Sequence, residues 1–151
     1  MARYAPWSSR PQIAGAKRFI YAESQYFASR SIAEAIIARL QEDNPPEIVI
    51  VHPSHADGWL EQQAMDHTRA ELVRAIQEAD AKGRFTIWSP LTGATPIYVH
   101  AKIMVVDDEV LRIGSANLNN RSMGFDTECD IAAEPLDEAG RQAIRRLRQT
   151  S

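Results

Sequence analysis

Cysteine is nearly missing. Cys129 is the single one in 151 residues, so no disulfide closes within the chain and no cysteine-based zinc cluster exists. One thiol does not reveal a redox compartment. Long apolar runs are also missing: nothing approaches the ~18 consecutive apolar residues of a membrane-spanning helix, and residues 1–7 hold no apolar signal core. At a membrane, such a chain is expected to work at the surface or to be held by a segment outside this sequence. A basic surplus is missing too. Lys and Arg number 17 against 20 Asp and Glu, for a net charge of −3 at pH 7 and a sequence pI near 5.8. Proteins that neutralise many phosphates generally carry an excess of Lys and Arg. Broad nucleic-acid binding is therefore disfavoured, and only a local basic patch remains open. Repeats and low-complexity segments are absent.

The chain is 44% hydrophobic and 25% charged, enough for one globular core. Pro6, Ser8, Ser9 and Pro11 mark residues 1–16 as a linker or arm ahead of a domain over 17–151. Residues 19–22 and the β-branched run 47–51 read as buried strands, and Phe85 to Trp88 as another. Ile32, Ala35, Ile36 and Leu40 recur at helical spacing, with Ser31 as the expected N-cap and Glu34 completing a capping box. Residues 59–81 form a long helical stretch, whose inner side would be Leu60, Ala64, His67, Leu72, Val73, Ile76 and Ala79. Two adjoining strands are expected over 97–106 and 110–114, joined by Asp107-Asp108-Glu109. A strand over 127–133 and a helix over 137–148 started by Asp137 complete the reading. Strands and helices alternate, which is the pattern of an α/β domain.

The chemistry concentrates in Tyr98-Val99-His100-Ala101-Lys102-Ile103-Met104-Val105-Val106-Asp107. On a strand, residues two apart share a face, so His100 and Lys102 are expected to project together while Val99, Ala101 and Ile103 enter a core. Ser115 and Asn117 follow the same rule in Gly114-Ser115-Ala116-Asn117. A hairpin would bring the four polar side chains together as a phosphate cradle, and Gly114 would let a ligand approach the backbone.

The string His100-x-Lys102-x4-Asp107-x6-Gly114-Ser115-x-Asn117 resembles the HKD signature of the phospholipase D superfamily, with matching spacing. Asn117-Leu118-Asn119-Asn120-Arg121-Ser122-Met123-Gly124 and Phe125-Asp126-Thr127-Glu128-Cys129-Asp130 look like the segment after the second motif of two-motif phospholipases D. Tyr21-Ala22-Glu23-Ser24-Gln25-Tyr26-Phe27 is similar to the segment opening their C-terminal half. The resemblance covers about residues 17–134. It implies one phospholipase D half, an α/β domain with a mixed sheet flanked by helices. It also implies a two-step phosphodiester reaction through a phosphohistidine, with no metal and no cofactor. Nucleophile and acid are then separate imidazoles, and His100 is expected to be the acid. Lys102 and Asn117 would bind phosphate oxygens, with Ser115 as a weaker candidate. Asp107 would sit near the strand end and order the site. Glu128 would hold the histidine tautomer, and Glu23 and Gln25 would support the site from behind.

The family's site takes two such motifs, and this chain has one. His52, His55 and His67 are followed two residues on by Ser54, Asp57 and Arg69 rather than lysine. The missing motif would come from a second copy of the chain or from an N-terminal half, and the flanking segments favour the latter. The implied substrate is a glycerophospholipid, with peripheral membrane contact possible. A homodimeric HKD endonuclease and an inactive half serving assembly are the rival readings.

Other polar and aromatic residues read more plainly. His52 and His55 are expected as satisfied loop histidines rather than metal ligands, His67 as a packed helical one, and Cys129 as a small core residue. Trp59, Trp88 and Tyr98 could form an apolar lip for lipid, although core packing is the stronger expectation for Trp88. Arg141, Arg145, Arg146 and Arg148 are expected on a solvated helix face.

Overall fold

Ile48 and Ile50 alternate with Val49 and Val51, which makes β3 (Glu47–Val51) apolar on both faces. Such a strand belongs inside a sheet. The computed structural model, which describes residues 9–54, 59–119 and 129–150, places β3 between β1 (Phe19–Ser24) and β4 (Phe85–Trp88), parallel to both. On its other side β1 runs antiparallel to β7 (Lys102–Val106), which pairs with β8 (Val110–Gly114), which pairs with β10 (Asp130–Ala133). The result is a six-stranded mixed sheet with two parallel and three antiparallel pairings. Two small pairs lie beside it: β2 (Phe27–Ala28) with β9 (Leu118–Asn119), and the hairpin of β5 (Leu91–Thr92) and β6 (Thr95–Pro96).

One face of the sheet carries the main core. Ile20, Ala22, Ile48, Ile50, Met104 and Val106 pack there against helices α1 (Ser9–Gly15), α2 (Arg30–Leu40) and α3 (Trp59–Ala79). From α3, Ile76 is fully buried, with Leu72 and Val73 beside it. The segment expected as an arm is thus helical from Ser9, and it drives Ile13 and Ala16 into the core. Proline at the third position of α1 is no obstacle, because the first turn has no intrahelical partner for that missing N–H. The cap of α2 also shifts from expectation. Ser29, not Ser31, accepts from the Ile32 N–H, at 3.4 Å; the capping box with Glu34 does not form.

On the other face α4 (Glu138–Thr150) lays Arg148 over the Phe19 ring at 4.5 Å and buries Ile144, while Ile113 and Ile131 on that face stay exposed. Asp137 caps it as expected, accepting from the Gly140 N–H at 2.8 Å. The arginines of this helix are less solvated than expected. Arg145 and Arg148 each place Nε 3.2 Å from the buried Asp108 carboxylate, and Arg141 pairs with Glu109 at 2.7 Å. No described helix is long and apolar enough to cross a membrane.

The β7–β8 turn explains the two adjacent aspartates. Asp107 and Asp108 both have positive φ, 57° and 59°, a conformation that aspartate tolerates better than most residues. The Asp107 carboxylate accepts backbone N–H bonds from Lys17, Arg18 and Phe19 at 2.7–2.8 Å. It fixes the start of β1. Asp107→Ala is expected to lower unfolding free energy by about 2 kcal/mol, because water replaces those bonds only in part; urea unfolding of the two proteins measures it.

Candidate active site

β7 is shorter than the sequence pattern implies. It begins at Lys102, and residues 97–101 lie outside any strand. The cause lies in its neighbours. Lys102 pairs with Ser24, the last residue of β1, and the β8 partner strand ends at Gly114. Beyond that line no ladder remains to hold the chain extended. The period-two rule therefore does not place His100; other contacts do. Tyr98 stacks on the His100 ring, with centroids 6.2 Å apart and planes at 21°. Lys102 Nζ turns back to donate to the His100 carbonyl at 2.9 Å.

Lys102 sits on the main-core face, in line with Met104 and Val106. The main core thus lies on the Lys102 face and not, as expected, on the face of Ile103. The ammonium also donates to Gln25 Oε1 at 3.0 Å, and Gln25 Nε2 donates to the Tyr98 hydroxyl. A chain Lys102–Gln25–Tyr98 thus links the ammonium to the ring lying on His100. Gln25 is brought against Lys102. Removing its amide should weaken phosphate binding: Gln25→Ala is expected to raise KM for a phosphodiester about fivefold with little change in kcat, the worth of one ordinary hydrogen bond. Saturation kinetics on the assembled protein check this.

Glu23 faces the other way. It accepts from the Tyr21 hydroxyl at 2.9 Å on the face shared with Ile103 and Val105. Burial first, then the hydrogen bond to Glu23 and its charge, push the Tyr21 phenol far above its usual value. Tyr21 stays a neutral donor, and Glu23, which also lines the cleft that holds Lys102, spends its carboxylate on that hydroxyl.

Asn117 is buried and lies beside Ser24, whose Oγ is 3.5 Å from Asn117 Oδ1. Ser24 is the organiser that sequence reasoning missed. Its hydroxyl donates to the Tyr26 carbonyl at 2.8 Å and accepts from the Leu118 N–H at 3.1 Å, so it ties the end of β1 to the segment carrying Asn117. Ser115 is exposed, and its Oγ accepts from the Cys129 N–H at 2.9 Å. That bond ties Ser115 to the residue before β10. The space above Gly114 is also taken. An added Cβ would lie 1.8 Å from Asp130 Oδ1 and 2.6 Å from the Cys129 carbonyl. The glycine makes room for Asp130, not for a ligand. Asp130 in turn pairs with the buried Arg112 and accepts from the Ala116 N–H.

Lys102, Met104, Arg112, Ala116 and Leu118 line a shallow cleft at this end of the sheet. Asp107 lies at the opposite end of β7 from Lys102, with its carboxylate spent on the start of β1. It orders the sheet that carries the site and does not stand beside His100. Glu128 lies outside the described residues, as does His55. Chemically, Lys102 brings an ammonium group to the cleft, with the His100 carbonyl against it and the buried Asn117 amide beside Ser24, which also lines the cleft; a positive charge there suits an anionic oxygen.

Three further expectations change. Cys129 is exposed rather than in the core. His67 is solvated, its side chain 76% exposed with Nδ1 3.6 Å from Glu71; the buried stripe of α3 runs through Ile76 instead. Trp88 is 63% exposed, because it ends the edge strand β4 on the face that alternates with the buried Phe85. His52 is buried with Nδ1 3.3 Å from Arg69 Nη1, a satisfied loop histidine. Among the described residues no group of His, Cys, Asp and Glu is placed to hold a metal ion.

Comparison with known proteins places this arrangement. Residues 10–147 match the family described as cardiolipin synthase, PLD-like domain. Phospholipase D C of Dictyostelium discoideum is 26% identical over 148 residues, covering 78% of this chain and 9% of that protein. Phospholipase D alpha 3 of Arabidopsis thaliana is 62% identical over 39 residues, covering 24% of this chain and 5% of that protein. The chain thus spans less than a tenth of the length of these relatives. Among solved structures, phosphatidylserine synthase of Haemophilus influenzae superposes with a TM-score of 0.70 at 17% identity, covering 93% of this chain and 34% of that one. Nuc of Salmonella typhimurium, a phospholipase D family member, gives 0.62 at 15% identity, covering 93% and 82%. The six-stranded mixed sheet with its flanking helices is the fold of these structures, and the chain belongs to the PLD-like domain family of the phospholipase D superfamily.

Proposed function

We propose that this chain supplies one half of a phosphodiesterase site that hydrolyses or transfers the phosphatidyl group of glycerophospholipids. The observation that carries this reading is the Lys102 ammonium held against the His100 backbone and Gln25 at the mouth of the cleft. The positive charge fits a phosphate oxygen, and His100, two residues away in sequence, would supply the imidazole that attacks or protonates. In this scheme one imidazole nitrogen attacks phosphorus, and the new P–N bond forms as the P–O bond to the leaving alcohol breaks. The second imidazole gives that alcohol its proton. Water or another alcohol then displaces the histidine. His100 is the acid, Lys102 and Asn117 bind the non-bridging oxygens, and Glu128 steadies the imidazole. The other histidine comes from an N-terminal half or a second copy, since one imidazole cannot be nucleophile and acid in the same step.

The match over 78% of the chain to Phospholipase D C supports the phospholipid reading over a nucleic-acid one. The homodimeric endonuclease remains the second reading. It is favoured by the likeness to Nuc, of which a chain of this size covers 82%. The deciding experiment supplies the assembled two-motif protein with phosphatidylcholine vesicles and a primary alcohol, and separately with DNA. Headgroup release with formation of a phosphatidyl alcohol supports the lipid reading. Cleavage of DNA with no headgroup release overturns it.

A further inference from the structure

Residues 85–106 contain no Asp or Glu, although the chain has 20 of them; their charged side chains reduce to Lys102, with His100 beside it. Four large apolar side chains of this stretch are open to solvent; the others among the described residues, Ile113, Ile131 and Leu136, lie elsewhere in the chain. Trp88 is 63% exposed, Leu91 57%, Tyr98 43% and Ile97 42%. The four are held together by a small projecting hairpin. Leu91 pairs with Pro96 and Thr92 with Thr95 around Gly93, whose φ is +60°. The Ile97 N–H donates to the Pro90 carbonyl at 3.0 Å, closing the base two residues beyond Trp88. Every residue from 91 to 98 is exposed. The hairpin is therefore an ordered projection rather than a core element turned outward by accident. Contiguous apolar surface of this kind marks an interaction site.

We propose that Trp88, Leu91, Ile97 and Tyr98 form a lip that seats the site on a phospholipid bilayer. Two features select lipid over other occupants. The lip carries no negative charge to be repelled by a layer of phosphates, and the cation it does adjoin, Lys102, stands at its inner end. Tryptophan and tyrosine, with an apolar ring and a polar tip, are the residues that settle at headgroup depth. Tyr98 joins the two functions, since its ring lies on His100 and its hydroxyl takes the Gln25 hydrogen bond. A lip buried to that depth brings the lipid phosphate level with Lys102 while the acyl chains stay in the bilayer. The proposal rests on the phospholipid reading of the same site for its purpose, but adsorption itself requires no catalysis.

The test is sedimentation of the intact chain with vesicles of phosphatidylcholine and phosphatidylglycerol, beside the double variant Trp88→Ser, Leu91→Ser. Wild-type chain is expected to co-sediment, and the variant to partition at least about tenfold more weakly, from the apolar area lost. Its thermal midpoint should not change, because both residues are exposed. The lip is overturned if wild-type chain stays in the supernatant, or if the variant sediments equally. It is also overturned if light scattering shows a self-association that the variant abolishes while vesicles bind neither protein; the occupant is then a second copy. Vesicle binding through the lip by a protein whose assembled form cleaves no phospholipid would sink the catalytic reading and leave the lip standing.

Discussion

His100→Ala is expected to lower phosphodiester turnover by the assembled protein at least about a thousandfold, while leaving the fold intact. Removal of a group that transfers a proton in the transition state costs on the order of a hundred- to ten-thousandfold, and water cannot stand in for a positioned imidazole beside a bound phosphate. The structural cost should be slight. His100 is exposed and lies outside the ladder of β7, so its loss is expected to change unfolding free energy by no more than about 0.5 kcal/mol. The pairing of a large kinetic effect with a small stability effect identifies chemistry rather than scaffolding. It is checked by turnover of a chromogenic diester and by urea unfolding on the same preparation. A variant that retains turnover would remove His100 from the mechanism.

Gly114→Ala reverses that pattern. Its Cβ would collide with Asp130 Oδ1 and with the Cys129 carbonyl. The side chain can swing away, but then Arg112, with its side chain only 5% exposed, loses its ion-pair partner and the Ala116 N–H loses its acceptor. Taking the partner from a buried charge costs about 3–5 kcal/mol, and we expect destabilisation in that range. The melting temperature should fall on the order of 10 °C for a domain of this size. Substituting Asp130→Ala in the same protein should make the two changes markedly less than additive, since the clash and the lost pair share one carboxylate. Additivity would show that Gly114 matters for another reason.

The contrast between these two positions shows what the sequence reveals. Elements with strong local signals are legible: the β-branched run of β3, the Asp137 cap of α4, and the alternation that gives an α/β domain. The family is legible as well, because His100, Lys102 and Asn117 are polar groups in a distinctive order. Their placement is less so. The extended reading of residues 97–101 fails because strand length depends on partners, and Ser24 and Gly114 end the neighbouring strands at Lys102. Glycine at 114 looks the same in sequence whether a ligand or the Asp130 carboxylate fills the space. Asp107 keeps its place at a strand end, but which strand it orders depends on contacts some 90 residues away in sequence. Trp88 is a strong core residue by composition, and only its position on an edge strand turns it outward.

The claim at the centre of this account is that one chain holds half of a site. The most direct measurement is diester turnover across size-separated fractions, with mass by light scattering on each. Turnover confined to species carrying two motifs, and lost with His100→Ala, is the expected result. Turnover proportional to the amount of monomer would contradict it, because one imidazole would then suffice.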